Sequence, residues 1–229
     1  MDITIVTLFP EMFAGPFNYS ILKRAQDQQI ITIRYVNIRD FAVNPYRSVD
    51  DQPYGGGVGM ILRVDIVQKA IAHARTLVHT RPGKSKVILL DPKGPVFTQR
   101  TAARLSKLGH IILVCGHYEG FDERIREFAD EEISVGNYIL TGGEIPAMCV
   151  VDSVVRLLPG VLKKPEAVAH ESFSGSPKQL EYPQYTRPRT YKQKTVPDIL
   201  LSGNHKAIDA WKKRMSNELT ETRRPTRKK

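Results

Sequence analysis

The sequence is short of the features that mark several protein classes. It has only two cysteines, Cys115 and Cys149, both inside apolar runs, so a disulfide framework is excluded. Buried thiols in a reducing, cytoplasmic setting are expected instead. No stretch approaches 18 consecutive apolar residues, which excludes a transmembrane helix and a membrane partner of that kind. The opening Met1–Val6 carries no basic region or cleavage signal, so secretion is not expected. No G-x-G-x-x-G follows the first strand, and neither G-x-x-x-x-G-K-[ST] nor G-x-S-x-G occurs. Dinucleotide cradles, triphosphate cradles and serine-hydrolase elbows are therefore unsupported. The Cys and His spacings make no zinc site. What remains, at 41% hydrophobic and 25% charged residues, is ordinary globular usage, and disorder is ruled out.

The net charge of +10 is unevenly placed. Pro183–Lys229 holds 13 Lys and Arg against 4 Asp and Glu, whereas residues 1–182 hold 21 against 20. The core is electrically neutral in effect and the last fifth of the chain is strongly basic. That asymmetry points to a polyanionic partner, most simply nucleic acid. A solubilising tail at Arg223–Lys229 is the plainer alternative.

Strands and helices alternate along the first two thirds. Ile3–Leu8, Ile30–Ile38, Val87–Leu90, Ile111–Cys115 and Glu132–Val135 read as strands, several of them continuous apolar runs. Val64–Val78 has apolar residues at helical spacing, and Thr98–Leu108 reads as a helix with Thr98 as N-cap. Gly143–Leu158 is apolar on nearly every side, so a helix buried all round is expected. Buried strands alternating with helices imply an α/β fold with a mostly parallel sheet. Residues 163–184, rich in Pro, Gly and Ser, read as an interdomain linker between a domain at 1–162 and a small basic helical domain at 185–229. In that last part Ile208, Trp211, Met215 and Leu219 form one apolar helical stripe. His73, His79 and His110 read as ordinary residues of helices or turns without partners.

In open α/β sheets ligands bind beyond the C-terminal strand ends. Three such ends here carry glycine-rich or polar loops: Leu90–Gly94, Cys115–Gly120 and Val135–Glu144. Glycines there admit close approach of backbone groups to a ligand, although single glycines also serve merely as turns and caps. A backbone-lined pocket lacking a phosphate motif fits an adenosine-type cofactor.

The segments PYGGGVGM (Pro53–Met60), CGHYEGFDERI (Cys115–Ile125), VGNYILTGGEIPA (Val135–Ala147), YTRP (Tyr185–Pro188) and LLSGNH (Leu200–His205) stand in the order and spacing of one family. Over residues 1–215 the chain resembles the bacterial tRNA (guanine-N1)-methyltransferases of the SPOUT class, which modify guanosine at tRNA position 37. The resemblance implies a deep trefoil knot in the C-terminal part of the α/β domain, S-adenosylmethionine as methyl donor, tRNA as substrate and an obligate homodimer whose active site is composite. General rules of chain topology would not give a knot, since threaded chains are essentially absent from proteins. Mg²⁺ is linked with the family, and no motif here specifies a site for it.

The resemblance places the cofactor at Leu89, Leu90 and Gly94, at Gly116 and Glu119, and at Val135, Gly136, Asn137, Tyr138, Ile139 and Leu140, with Gly142 and Gly143 closing the pocket. It also implies two catalytic residues. Glu171, where the family usually has Asp, would take the proton from guanine N1 as general base. Arg156 would stabilise the charge developing on O6. The plainer alternatives are a solvated loop carboxylate for Glu171 and an ion pair with Asp152 for Arg156. Asn137, His117 and Gln184 also depart from the residues common in the family, at positions where Asp, Arg and His are frequent. Two other functions remain open at this point: a non-catalytic RNA-binding protein on the same fold, and an enzyme acting on ribosomal RNA or a ribose 2′-OH.

Overall fold

The computed structural model describes residues 1–81, 83–164, 168, 171–175 and 179–223. Of the tail Arg223–Lys229, offered above as a solubilising segment, residues 224–229 lie outside the described residues. The chain divides into two compact units, Met1–Lys163 and Lys164–Lys229.

The first unit is built on five parallel strands: β1 (Asp2–Thr7), β2 (Thr32–Asn37), β5 (Ser85–Leu90), β6 (His110–Cys115) and β7 (Glu131–Ile133), in the order β2-β1-β6-β5-β7. The short strands β3 (Asp50–Asp51) and β4 (Ile61–Leu62) form a separate antiparallel pair. Every residue of β6 is buried, as befits the middle strand of a parallel sheet covered on both faces. One face packs Ile3, Ile5, Ile88, Leu90, Ile111 and Leu113 under the helices α1 (Ala14–Phe17), α2 (Ser20–Asp27), α4 (Gln99–Leu105) and α5 (Glu144–Val155). The other packs Val6, Val87, Leu89, Ile112 and Val114 against α3 (Val64–Thr76) and the 3₁₀ turns Ile38–Phe41 and Glu123–Phe128. The strict alternation of the two faces along each strand is the period-two geometry of the pleat. Thr98 caps α4 as expected, its hydroxyl accepting from the Thr101 amide at 3.3 Å.

Four expectations change. β7 stops at Ile133 because the next residue pairs elsewhere: the Ser134 amide donates to Pro95 O at 3.0 Å, and its carbonyl accepts from the Phe97 amide at 2.7 Å. α5 is not buried all round, and Cys149 is exposed rather than buried. Only one face of α5 meets the sheet, and Ile145, Cys149 and Asp152, at i, i+4 and i+7, form an outward stripe. His110 is no turn residue without partners. It opens β6, is fully buried, and bonds Thr4 Oγ1 at 2.8 Å and Ser85 Oγ at 3.2 Å. Finally, α2 has no counterpart among the expected elements.

The second unit holds the hairpin of β8 (Thr190–Tyr191) and β9 (Lys194–Thr195), a 3₁₀ turn at Asp198–Leu201 and the helix α6 (His205–Arg223). The stretch expected as a linker contributes described residues to this unit. Ser216 Oγ donates to Leu180 O, the Leu180 amide donates to Thr220 Oγ1 at 2.9 Å, and the Glu181 amide donates to Ser172 Oγ at 2.9 Å. The buried line of α6 therefore runs through Ser216 and Thr220, and Leu219 is 41% exposed instead of completing the apolar stripe. Two hydroxyls satisfy an extended backbone here, an attachment that an apolar pattern could not announce.

Burial lowers the His110 pKa, with the nearby Arg34 acting the same way and Asp2 opposing. A group that resists its proton when folded leaves stability whole above the ordinary histidine value of about 6.5 and erodes it as pH falls, because the unfolded chain then binds the proton first. The gap in melting temperature between the wild type and His110→Gln is expected to narrow from pH 7.5 to pH 5. A gap independent of pH would remove His110 from that role.

Candidate functional site

Parallel register sets the ends of three strands side by side. Leu90 pairs with Cys115 on one flank and with Ile133 on the other, so the loops that follow start from one edge. They enclose a cavity of about 330 Å³, within the range of small-molecule sites.

The first loop, Asp91–Gly94, is a fixed turn. Asp91 is buried and accepts from its own loop, Lys93 N at 2.8 Å, while Arg126 reaches its carboxylate at 3.4 Å. Arg126 also pairs with Glu132 and with Glu123, tying this loop to β7. The i, i+3 pair with Glu123 is local, but the reach to Asp91, 35 residues away, leaves no mark in the sequence. The second loop, Gly116–Gly120, turns through Tyr118 at a φ of 60°. The Glu119 amide donates to Met60 O and the Leu62 amide to Gly120 O, at 3.0 and 2.9 Å, so the glycine-rich loop before β4 leans on this one. A side chain on Gly59 would strike Glu119 Cγ at 2.5 Å, which accounts for the glycine. The third loop runs from Ser134 to Gly143 and returns to the end of β6, where the Gly143 amide donates to Gly116 O at 2.7 Å.

Most of the expected cofactor residues meet in this cavity. Leu90, Gly116 and Glu119 line it, as do Val135, Gly136, Tyr138, Ile139 and Leu140, and Gly142 and Gly143 close its base. Tyr138 and Ile139 stand at its outer lip, largely exposed. Three expected residues do not line it. Leu89 points into the opposite core face, Gly94 packs beneath Ile133, and Asn137 belongs to the third loop but not to the wall. Ser134, Tyr118, Phe121 and Pro146 line it too; the last three lie inside the segments that carry the resemblance but are not among the expected cofactor residues.

Glycine at 143 is required by contact. A Cβ there would sit 2.6 Å from Cys115 Cα and 2.7 Å from Gly116 N, both backbone atoms that cannot yield easily. Gly94 is similar, with Ile133 N at 2.8 Å. Behind the cavity Glu144, the first residue of α5, is 2% exposed and accepts from Thr7 Oγ1 at 2.8 Å. Burial, with the Glu144 charge adding to it, pushes the Cys115 thiol well up, so Cys115 is a neutral thiol here.

The two residues expected to be catalytic lie in different units. Arg156 follows α5 directly, as its C-cap, its amide donating to Asp152 O at 3.2 Å. Glu171 sits in a turn of the second unit, its carbonyl accepting from the Ser174 amide at 3.2 Å and Ser174 Oγ at 2.7 Å. Among the described residues no group of three or more His, Cys, Asp or Glu is arranged to hold a metal. No described helix is long and apolar enough to cross a membrane. Arg187, Lys192, Lys194, Lys206, Lys213 and Arg214 are exposed on the second unit, and Trp211 packs near Tyr185 with ring centroids 6.4 Å apart.

A parallel α/β sheet whose adjacent strand-end loops wall a backbone-lined cavity defines a class of small-molecule-binding α/β proteins. Within that class, residues 1–228 match the family model described as tRNA (Guanine-1)-methyltransferase TrmD, and the chain belongs to that family. It is 52% identical over 98% of its length to a tRNA (guanine-N(1)-)-methyltransferase of Dictyoglomus turgidum, covering 89% of that protein. It is 50% identical, with the same two coverages, to the protein of that name from Staphylococcus carnosus. The match to one from Carboxydothermus hydrogenoformans is 52% over 94% of this chain and 83% of the relative.

Gly143→Ala tests the wall of the cavity. Forcing a methyl against the β6 backbone is expected to destabilise the chain by about 1–3 kcal/mol, the scale of overpacking in a filled core. Urea unfolding measures it, and unchanged stability would mean that the third loop has slack at this point.

Proposed function

We propose that this protein transfers a methyl group from S-adenosylmethionine to N1 of the guanosine at position 37 of tRNA, in the cytoplasm. The carrying observation is the cavity walled by Leu90, Gly116–Gly120 and Val135–Gly143, in a chain about 50% identical to proteins bearing the methyltransferase name. Backbone-lined walls, glycines at close approaches and an apolar lip at Tyr138–Leu140 suit an adenosine moiety flanked by a short polar tail.

When bound, S-adenosylmethionine supplies a methyl group already activated on a sulfonium. The protein has two further tasks. Guanine N1 bears a hydrogen at neutral pH and becomes nucleophilic only as that proton leaves. Glu171 is the proposed acceptor. Negative charge then moves to O6, where the guanidinium of Arg156 is the proposed stabiliser. The remainder is placement of base and methyl in line. Mg²⁺ is assigned no protein ligands, and no step is routed through it.

The basic second unit is the proposed tRNA-binding part, holding phosphates through its exposed lysines and arginines. A trefoil knot is proposed where the third loop returns to Gly116 and α5 then packs behind β1 and β6. A homodimer is proposed across the outward stripe of α5, with the partner subunit completing the active site. Ile145, 46% exposed beside Cys149 on a largely apolar helix whose outward stripe ends at Asp152, supports that surface.

Product analysis on unmodified tRNA, asking which base gains the methyl, tests the activity, and a protein that methylates nothing would be a binding protein only. Single-turnover rates test the base. Glu171→Gln keeps size but cannot take the proton, so its rate is expected to fall about 100-fold or more with tRNA binding retained. Glu171→Asp, the residue commoner in the family, is expected to keep substantial activity. A Gln variant as fast as wild type would place the base elsewhere. Sedimentation at micromolar concentration is expected to show a dimer, and Ile145→Glu is expected to weaken it. A wild-type monomer would remove the dimer and the composite site together.

A further inference from the structure

The imidazole of His117 has an unmet need. Its Nδ1 is sealed from solvent and has no hydrogen-bond partner, the one side-chain atom in that condition among the described residues. The ring is held edge-on by Phe9, with centroids 5.1 Å apart, and by Tyr118 at 4.8 Å. An atom closed off from solvent has to find its partner in the protein.

A group of suitable chemistry, Glu144, stands beside it. Its Oε2 and His117 Nδ1 both close on the same point, the position that a Cβ on Gly142 would occupy, with Nδ1 2.8 Å from it and Oε2 nearer still. Two atoms so placed share one small space between the second and third loops. The other carboxylate oxygen is already engaged by Thr7. A bare Nδ1 would turn its lone pair toward a carboxylate in a poorly solvated place, which is repulsive. An Nδ1–H turns a donor toward it and gives a charge-assisted bond.

We propose that His117 is a positioning residue, its Nδ1–H donated to Glu144 Oε2 so that the second and third loops are held as one wall of the cofactor cavity. The backbones already meet there, His117 bridging Gly142 and the Gly143 amide bonding Gly116 O. A side chain at 142 would press on Nδ1 and Oε2 at once, which accounts for the glycine. The role in cofactor binding rests on the reading that this cavity takes S-adenosylmethionine. The tautomer does not.

Asparagine and glutamine separate the two ring nitrogens. His117→Asn can set an amide N–H where Nδ1 was, whereas the amide of His117→Gln reaches toward the Nε2 position. His117→Phe keeps the ring packing and removes both nitrogens. Calorimetry with S-adenosylmethionine is expected to show His117→Asn within about 3-fold of wild type, and His117→Gln and His117→Phe weaker by about 10-fold or more, the scale of one hydrogen bond to a charged group. Equal loss in all three variants, or loss in none, overturns the proposal. Nitrogen-15 NMR of the full-length wild type without ligand supplies a readout that needs no variant to fold: the protonated nitrogen of His117 is expected to be Nδ1, and a proton on Nε2 alone overturns the pair. Failure of the wild type to bind S-adenosylmethionine would overturn the reading of the cavity and with it the role in binding, while the tautomer still decides whether the pair exists.

Discussion

The return of the third loop to the end of β6 is the constraint on which the site depends. Three loops leave the sheet at one edge because the strands are parallel and in register. Two of them need only to turn. The third has to leave the far side of β5, cross the strand ends and begin α5 against the middle of the sheet. It does so at Gly143, whose amide bonds Gly116 O and whose α-carbon leaves no room for a side chain against the β6 backbone. Move that contact outward by the width of a methyl group and the cavity loses its base, α5 loses its start, and Glu144 leaves its place under Thr7. Fold and site are therefore one problem at this position, since the contact that closes the cavity also seats the helix.

Much of this is legible in the sequence because it rests on local signals. Continuous apolar runs mark the inner strands, and the loops after Leu90, Cys115 and Ile133 carry the glycines that the close approaches require. Ten of the thirteen expected cofactor residues line the cavity, and the motifs behind them cover whole loops. What escapes is set by distant partners. Arg126 matters through Asp91 and Glu132, His110 through Thr4 and Ser85, and Glu144 through Thr7, which lies 137 residues earlier. Leu89 and Leu90 are chemically alike, and only the pleat decides which of them faces the cavity. The stretch before Tyr185 looks like a linker because it is rich in Pro, Gly and Ser. Leu180 within it is held instead by two hydroxyls of α6, a kind of attachment that leaves no apolar period to find.

The charge distribution divides the labour of the proposed reaction. An excess of 13 basic over 4 acidic residues after Tyr182 supplies attraction to any phosphate backbone, and that attraction carries no sequence information. Residues 1–182 are nearly balanced, so the net positive charge lies in the last part of the chain. Affinity for tRNA and choice of the base therefore have to come from different residues.

The choice of base follows from the proposed chemistry itself. A carboxylate positioned to take the proton from N1 requires a ring nitrogen that bears one, and a guanidinium positioned at O6 requires an exocyclic oxygen. Guanine offers both. Adenine presents a bare N1, whose lone pair would face the carboxylate, and an exocyclic amine that would meet the guanidinium with its own hydrogens. Adenine therefore meets both proposed groups with mismatched partners, and a site built to hydrogen-bond one base rejects another that cannot make the same bonds more strongly than an apolar pocket rejects a change of shape. In the proposed arrangement Glu171 and Arg156 would select guanine by the same contacts with which they would activate it. The longer reach of glutamate compared with aspartate then bears on rate, through the position of its oxygen, and leaves the preference for guanine unchanged, because either carboxylate can accept a hydrogen bond and neither can donate one while ionised.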